Sequence, residues 1–185
     1  MPKIIDNAKE QIMEAAKRLA AEKPYAGISM RAVAAECGVS VGTIYNYFKD
    51  KEMLMAAMML EDWLQVLRAM QPVCESAATP SVAFACIYHG LREYQQRYAS
   101  IFADEAAEAA YHTAAWSYHE MLSAQLTALL RPVSERTVPG DTFLVEFAAE
   151  ALLMWTLRGR TLEEIDGMLC RLYGKGAGSH QTDRH

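Results

Sequence analysis

The sequence lacks the alternation of apolar and polar residues that indicates β-strands, and it has few residues that interrupt helices. Ten glycines and six prolines occur among its 185 residues, and most of them lie between segments of helical periodicity. No internal repeat is present. These absences exclude a β-rich or repeat architecture and predict an all-α protein of about nine helices.

Cysteine is scarce, and its spacing excludes the common metal and redox motifs. The four cysteines are Cys37, Cys74, Cys86 and Cys170, and they match no zinc-ligand or C-x-x-C pattern. Free thiols are typical of a reducing compartment, so Cys37 is expected to be a small buried thiol rather than a redox switch. No apolar run reaches the roughly 18 residues that span a membrane. With no signal peptide evident, we expect a cytoplasmic protein without membrane contact, metal or cofactor.

The motifs of helical enzymes are also missing. Di-metal carboxylate oxidases use Glu-x-x-His on two helices, whereas this chain has Glu108-x-x-x-His112 and His89-x-x-x-Glu93. No P-loop, nucleophile elbow or dinucleotide fingerprint occurs. We predict that the protein is not an enzyme. An all-helical enzyme, or a protein that binds a small molecule or a metal, remains an alternative.

Only the first third of the chain carries a net positive charge. The net charge is −5. Residues 1–60 hold eight Lys or Arg against seven Asp or Glu, and residues 61–185 hold ten against sixteen. A protein that coats nucleic acid without specificity is basic throughout. Only the first third could therefore face DNA, and a non-specific nucleoid-associated protein is kept as a second alternative.

Helix start and stop signals divide the first third into three short helices. The first is predicted over residues 5–22 and ends before Pro24. Ser29 is a predicted N-cap of a second helix that Gly38 terminates, and Ser40 is a predicted N-cap of a third helix, residues 41–48. Two short helices joined by a turn that contains glycine are typical of a helix-turn-helix motif.

The third helix carries more aromatic rings than its own core requires. At 100° per residue, Val41, Ile44 and Phe48 share one face, and Tyr45 and Tyr47 flank it. A phenolic hydroxyl near lysines suits a phosphate oxygen. Periodicity alone leaves two interpretations open: a DNA-reading helix, or a small helical core with two surface tyrosines.

The later segments are predicted to form a helical bundle. Asp50 is a predicted N-cap of a fourth helix that ends near Met70. Further helices are predicted over residues 80–98, 101–108, 109–130, 142–157 and 161–174, with a loop at 132–140 and caps at Asp141 and Thr161. Residues 175–185 are predicted to be a disordered tail.

Residues 29–54, S-M-R-A-V-A-A-E-C-G-V-S-V-G-T-I-Y-N-Y-F-K-D-K-E-M-L, resemble the DNA-binding domain of TetR-family transcriptional repressors. The resemblance covers residues 8–60. It implies a helix-turn-helix DNA-binding domain at residues 1–50 and a domain for effector binding and dimerisation at residues 51–174. Pro24 stands where the family commonly has glycine, and Cys37 where it usually has alanine.

The resemblance also implies which residues face DNA. The third helix is expected to lie in the major groove, with phosphate contacts on either side. The implied DNA-binding residues are Ser29, Arg31, Ser40, Val41, Gly42, Thr43, Tyr45, Asn46, Tyr47 and Lys51. Lys3 is the only basic residue before the first helix, so a minor-groove arm is not expected.

For the remaining two thirds, the resemblance implies a homodimer and a pocket for a small-molecule effector. The last two helices are the expected dimer contact, with Leu169 a position at which a charge should separate the subunits; the alternative is that they only close the monomer's core. A homodimer predicts a near-palindromic operator. Four side chains are candidate effector contacts, although their face could instead meet solvent or the dimer partner: His89, His112, Trp116 and His119.

Overall fold

The computed structural model describes residues 7–104 and 115–176, and the described residues contain helices and no strand. Nine α-helices and one short 3₁₀ turn, Tyr25–Gly27, lie within these ranges. The α-helices are α1 Ala8–Glu22, α2 Met30–Cys37, α3 Val41–Tyr45, α4 Lys51–Ser76, α5 Pro80–Arg97, α6 Ala99–Phe102, α7 Ala115–Thr137, α8 Thr142–Leu157 and α9 Leu162–Gly176. The predicted all-α class is confirmed.

Contacts divide the chain into two compact units. Of the described residues, the first unit contains 7–64 and 96–104, and the second contains 65–95 and 115–176. Helices α4 and α5 each run through a boundary. The first unit therefore extends beyond the predicted domain boundary at residue 50 and includes the end of α5 and all of α6. The predicted tail, beyond Gly176, lies outside the described residues.

Side-chain caps start the helices at the predicted positions. Ser29 Oγ accepts a hydrogen bond from the Ala32 amide at 3.1 Å, and Ser40 Oγ accepts one from the Thr43 amide at 3.1 Å. Each cap satisfies an N–H group that has no partner inside its helix. The other predicted caps also form, at Asp50, Asp141 and Thr161.

Two prolines lie inside helices, where the sequence predicted an end and a loop. Helix α4 continues through Pro72 to Ser76, and α7 continues through Pro132 to Thr137. A proline inside a helix costs about 3 kcal/mol. Beyond the prolines, Cys74 is 0% and Val133 is 1% exposed. Burial of these residues offsets the lost backbone hydrogen bond.

The third helix is shorter than predicted. It ends at Tyr45, and the Asn46 amide donates to the carbonyl oxygens of Gly42 and Thr43, which tightens the last turn. The Tyr47 and Phe48 amides both donate to the Ile44 carbonyl oxygen. This turn brings Phe48 into the core at 2% exposure, as the predicted core face required.

The second unit is closed by α8 and α9. Ile165, Leu169 and Tyr173 form the buried stripe of α9. The Tyr173 ring meets the Phe84 ring edge to face at 5.3 Å, and its hydroxyl lies 2.8 Å from Ser134 Oγ. Leu169 therefore belongs to the core of this unit. None of the described helices combines the length and the apolar character needed to cross a membrane.

Candidate nucleic-acid interface

A glycine sets the angle between α2 and α3. Gly38 has φ +69°, which is the left-handed conformation that a residue with a side chain rarely adopts. Its amide donates to the Ala35 carbonyl oxygen and the Val39 amide donates to that of Ala34. These two bonds form a Schellman motif. The motif ends α2 and turns the chain so that α3 starts three residues after Gly38, at Val41.

Helix α3 presents an open face with little side-chain bulk. A Cβ atom built on Gly42 would meet only Ser40 Oγ, at 3.7 Å. Packing within the chain therefore does not require glycine here, and neither does the backbone conformation. The Tyr45 and Tyr47 side chains are 53% and 45% exposed. Both tyrosines are thus accessible to a partner of α3.

The remaining predicted contacts on these helices are accessible to differing degrees. Arg31 lies exposed in the first turn of α2, and Asn46 is exposed at the end of α3. Val41 and Thr43 are half-buried. Ser29 and Ser40 are exposed and already cap their helices, and Ser40 Oγ lies 2.8 Å from Thr43 Oγ1. Both serine hydroxyls therefore have a structural role as well as an accessible position.

Lys51 has a structural role that the sequence did not reveal. Its ammonium group donates to the Tyr25 carbonyl oxygen at 3.1 Å and lies 3.6 Å from the centroid of the Tyr25 ring. The Tyr25 hydroxyl in turn donates to Glu52 at 2.9 Å. Lys51 and Glu52 thus hold the turn before α2 against the start of α4. An ammonium group has three donors, so a phosphate contact at Lys51 stays a prediction.

Lys49 is a candidate contact that the sequence reading missed. It is exposed and lies between Tyr47 and Lys51, just after the exposed tyrosines. Two lysines follow the aromatic cluster in the sequence, and the family resemblance implied a contact only for Lys51. Lys49 adds positive charge beside the α3 face.

A buried carboxylate ties three segments of the first unit together. Asp62 Oδ1 lies 2.7 Å from Lys17 Nζ of α1, and Asp62 Oδ2 accepts from Arg97 at 3.0 Å and from the Tyr98 hydroxyl at 2.8 Å. Burial alone would raise the pKa of Asp62, but these hydrogen bonds outweigh it and lower the pKa. Hydrogen bonds from Lys17 to acidic groups likewise raise its pKa against the effect of burial. Asp62 therefore anchors α1 and the end of α5 to α4.

The candidate effector residues have different surroundings. His89 is exposed, and its ring meets that of Tyr88 edge to face. His119 Nε2 of α7 lies 2.9 Å from Glu150 Oε1 of α8. His112 lies outside the described residues, as does the side chain of Trp116. The common face predicted for His112, Trp116 and His119 stays a prediction. Within the described ranges, no three His, Cys, Asp or Glu side chains form a potential metal site.

The first unit matches a known family over its helix-turn-helix. Residues 12–58 match the family model described as bacterial regulatory proteins, tetR family. The match identifies a TetR-type helix-turn-helix domain in this segment. The match covers α1 to the first turns of α4, which agrees with the resemblance read from residues 8–60. The family model describes regulatory proteins, which agrees with the prediction that the protein is not an enzyme.

Similarity to individual proteins is of two kinds. The HTH-type transcriptional regulator UidR of Escherichia coli K12 is 34% identical over 64 residues, 34% of this chain and 33% of UidR. The chain thus aligns with about a third of that relative. The TetR-family repressor AlkX of Dietzia sp. DQ12-45-1b has a TM-score of 0.65 at 15% identity, covering 91% of this chain and 95% of AlkX.

A second solved structure contains a ligand. The regulator FadR of Bacillus subtilis, solved in complex with stearoyl-CoA, has a TM-score of 0.52 at 20% identity and covers 90% of this chain and 98% of FadR. At these identities the two solved structures establish the fold. The N-terminal helix-turn-helix and the helical domain that follows it therefore have the fold of these two regulators.

Proposed function

We propose that this protein is a sequence-specific DNA-binding transcriptional regulator that acts in the cytoplasm as a repressor. The observation that carries the proposal is the open face of α3: a glycine that the chain's own packing does not require, flanked by two exposed tyrosines. A helix inserted into the major groove needs such a face, because the backbone and short side chains must approach base edges closely.

The predicted contacts divide into two groups by chemistry. Hydroxyl and ammonium groups at the edges of the motif suit phosphate oxygens, and side chains on α3 and the start of α2 suit base edges. The predicted phosphate contacts are Ser29, Ser40, Tyr47 and Lys51, to which we add Lys49. The predicted contacts with base edges are Arg31, Val41, Gly42, Thr43, Tyr45 and Asn46.

Gly42→Ala tests the α3 interface without disturbing the fold. The added methyl group has space in the free protein but would hold the helix away from the groove. We expect unchanged thermal unfolding and at least about tenfold weaker operator binding, equivalent to about 1.4 kcal/mol. The operator is first selected from random DNA. Gly27→Ala, which also has space for a methyl group and lies outside α3, is the matched control.

The salt and sequence dependence of binding separates the proposal from its alternatives. Arg31→Ala should relax preference at one base position, with a cost of about 1–3 kcal/mol. Lys49→Ala should weaken binding to all sequences and lower the salt slope by about one unit. If random DNA yields no enriched site while binding remains salt-dependent, the protein is a non-specific DNA binder and the proposal is wrong.

We further propose that the regulator is a homodimer through α8 and α9. Phe143, Phe147 and Leu157 lie four and ten residues apart on α8 and are 77%, 39% and 43% exposed. Exposed apolar side chains aligned on one helix face are typical of a protein contact. On α9, Gly167 lies inside the helix with no atom within 4 Å of an added Cβ, so the monomer has no packing need for it. A glycine there suits the close approach of a second helix.

The structure also changes the choice of dimer probe. Leu169, selected from the sequence, is 0% exposed, so a charge there would unfold the second unit before it tested the dimer. Phe147→Glu places the charge on the exposed stripe instead. We expect monomers by light scattering, unchanged helical content, and loss of operator binding, because one half-site offers too few contacts. Val82→Glu is the comparison variant, because Val82 is 45% exposed on α5 and lies outside both helices, and it should remain dimeric.

For the effector, we propose a small molecule that binds the second unit and releases DNA. The support is the fold shared with FadR, which was solved with stearoyl-CoA. The His119–Glu150 contact between α7 and α8 is the candidate polar part of the effector pocket. A ligand releases DNA only if it binds the released conformation more tightly. A screen by thermal shift that begins with stearoyl-CoA tests this: an effector should raise the melting temperature, and His119→Ala should lose that response but keep operator binding.

A further inference from the structure

A carboxylate from a distant part of the first unit holds the turn that leads into α2. This turn, Tyr25–Gly27, follows α1 and ends three residues before α2 begins at Met30. The Ala26 amide donates a hydrogen bond to Asp104 Oδ2 at 3.0 Å, although the two residues are 78 positions apart in the sequence. Helix α4 contacts the neighbouring residue, Tyr25, through Lys51. The turn is therefore fixed by two separate segments of the chain.

The residues that precede Asp104 are packed firmly into the first unit. Tyr98 is 2% exposed and Ile101 is 1% exposed. The Ser100 hydroxyl donates to the carbonyl oxygen of Ala20, near the end of α1, at 3.3 Å. The Asp104 amide donates to the Ile101 carbonyl oxygen at 3.1 Å. The Asp104 carboxylate thus projects from a well-anchored segment, and such a group can fix the position of the amide that donates to it.

The contact between Asp104 and Ala26 contributes more to position than to stability. Ala26 is exposed and Asp104 is half-buried, so water could accept from the Ala26 amide if the carboxylate were removed. A hydrogen bond that water can replace adds little to the free energy of folding. Water cannot hold the turn in one place, however, because it is not attached to the rest of the unit.

The turn determines where α2 begins. The Ile28 amide donates to the Tyr25 carbonyl oxygen at 3.1 Å, and the Ile28 side chain is 2% exposed. Ser29 follows directly and caps α2, and Arg31 is exposed in its first turn. A binding group must be held within about 0.5 Å of its productive position. A small movement of the turn would therefore be enough to misplace Arg31.

We propose that Asp104 is a positioning residue for operator binding, which fixes the start of α2 through the Ala26 amide and thereby orients Arg31 toward a base edge. The inference rests on the proposed DNA-binding function, and it assigns to that function a residue far from the helix-turn-helix in the sequence. Asp104 itself does not contact DNA in this proposal.

The test measures the affinity of the full chain for an operator that the parent protein selects from random DNA. Asp104→Ala should bind at least about fivefold more weakly, with unchanged helical content and little change in thermal unfolding. Asp104→Asn keeps a side-chain acceptor oxygen and should bind within about twofold of the parent. Glu36→Ala is the matched control, because it removes the same charge from an exposed side chain that pairs with Arg18. It should bind no more weakly than the parent.

A double-mutant cycle separates positioning from a general loss of structure. If Asp104 acts through Arg31, the two substitutions are not additive. In an Arg31→Ala background, Asp104→Ala should therefore weaken binding by about twofold or less. Loss of the same factor in both backgrounds would show that Asp104 does not act through Arg31 and would overturn the inference.

The remaining outcomes distinguish failure of the inference from failure of the proposed function. If the parent selects no operator, the DNA-binding proposal fails and the inference fails with it. If the parent selects an operator and Asp104→Ala binds it as tightly, only the inference is overturned. A loss for Glu36→Ala as large as that for Asp104→Ala would reveal a general charge effect, which also overturns the positioning role.

Discussion

Replacement of Asp62 by asparagine should destabilise the first unit more than any exposed ion-pair variant. The Asp62 side chain is 6% exposed and accepts hydrogen bonds from Lys17, Arg97 and Tyr98. Asparagine keeps the shape but removes the charge, and it turns an N–H group toward one of these donors. The Lys17 ammonium, itself 16% exposed, then loses its shortest contact.

The magnitude follows from burial and from the remaining partners. Breaking a buried ion pair by removing one partner costs about 3–5 kcal/mol. Lys17 keeps its contacts with Glu14 and Glu61 at 2.9 Å, and the Arg97 side chain is 40% exposed and keeps access to water. We therefore reduce the expected loss to about 2–4 kcal/mol in the free energy of unfolding.

Urea unfolding at pH 7, followed by circular dichroism and tryptophan fluorescence, measures this loss. Glu14→Gln is the matched control, because it removes a carboxylate that contacts the same ammonium but is 59% exposed. Exposed pairs contribute about 0–1 kcal/mol. Equal losses for Asp62→Asn and Glu14→Gln would refute the reasoning that the buried carboxylate anchors this unit.

The pH dependence supplies an independent check of the same prediction. The pKa of Asp62 is lowered in the folded state, so its contribution is present above the unfolded value of about 3.9 and is lost as pH falls through the folded value. The pKa of Lys17 is raised, so its contribution is present below about 10.4 and is lost as pH rises through the folded value. The difference between parent and Asp62→Asn should stay constant from pH 5 to pH 9 and disappear in acid.

Two further predictions concern local backbone features and use the same unfolding assay. Gly38→Ala, at φ +69°, should lose about 1–2 kcal/mol because an L-residue is strained there, whereas Gly27→Ala should be near neutral; equal effects would contradict the assigned turn. Thr161→Ala removes the hydroxyl that accepts from the Glu164 amide and should cost about 1 kcal/mol, while Glu164→Gln, which keeps a side-chain acceptor for the Thr161 amide, should cost less.

Local features of the fold were predictable because they depend on neighbouring residues alone. The caps at Ser29, Ser40 and Asp141 each need a side-chain oxygen three residues before the amide that it accepts from. Residue type and spacing alone therefore predict them. The core face of α3 followed from helical geometry for the same reason. Sequence pattern therefore located the helix-turn-helix and the open face beside it.

Features set by tertiary contacts were not predictable. Pro132 normally indicates a helix end, but the burial of Val133 and Ser134 and the contact of Ser134 with Tyr173 stabilise the helix beyond it. Asp62 contacts residues that lie 45 and 35 positions away in the sequence, and no local sequence pattern indicates contacts at such separations. The contact of Lys51 with Tyr25 was not predicted for the same reason, because the two residues lie 26 positions apart.

The outer surface of α8 shows why composition alone cannot assign a dimer contact. The helix is apolar on nearly all sides, so a buried residue such as Leu152 and an exposed one such as Phe143 look alike in the sequence. Burial separates them, because Leu152 is 0% and Phe143 is 77% exposed. An apolar side chain that the monomer leaves in water gains about 1.5–3 kcal/mol when a partner covers it. The proposed dimer therefore depends on the side chains that the core does not use, and Phe147→Glu, rather than Leu169→Glu, is the variant that tests it.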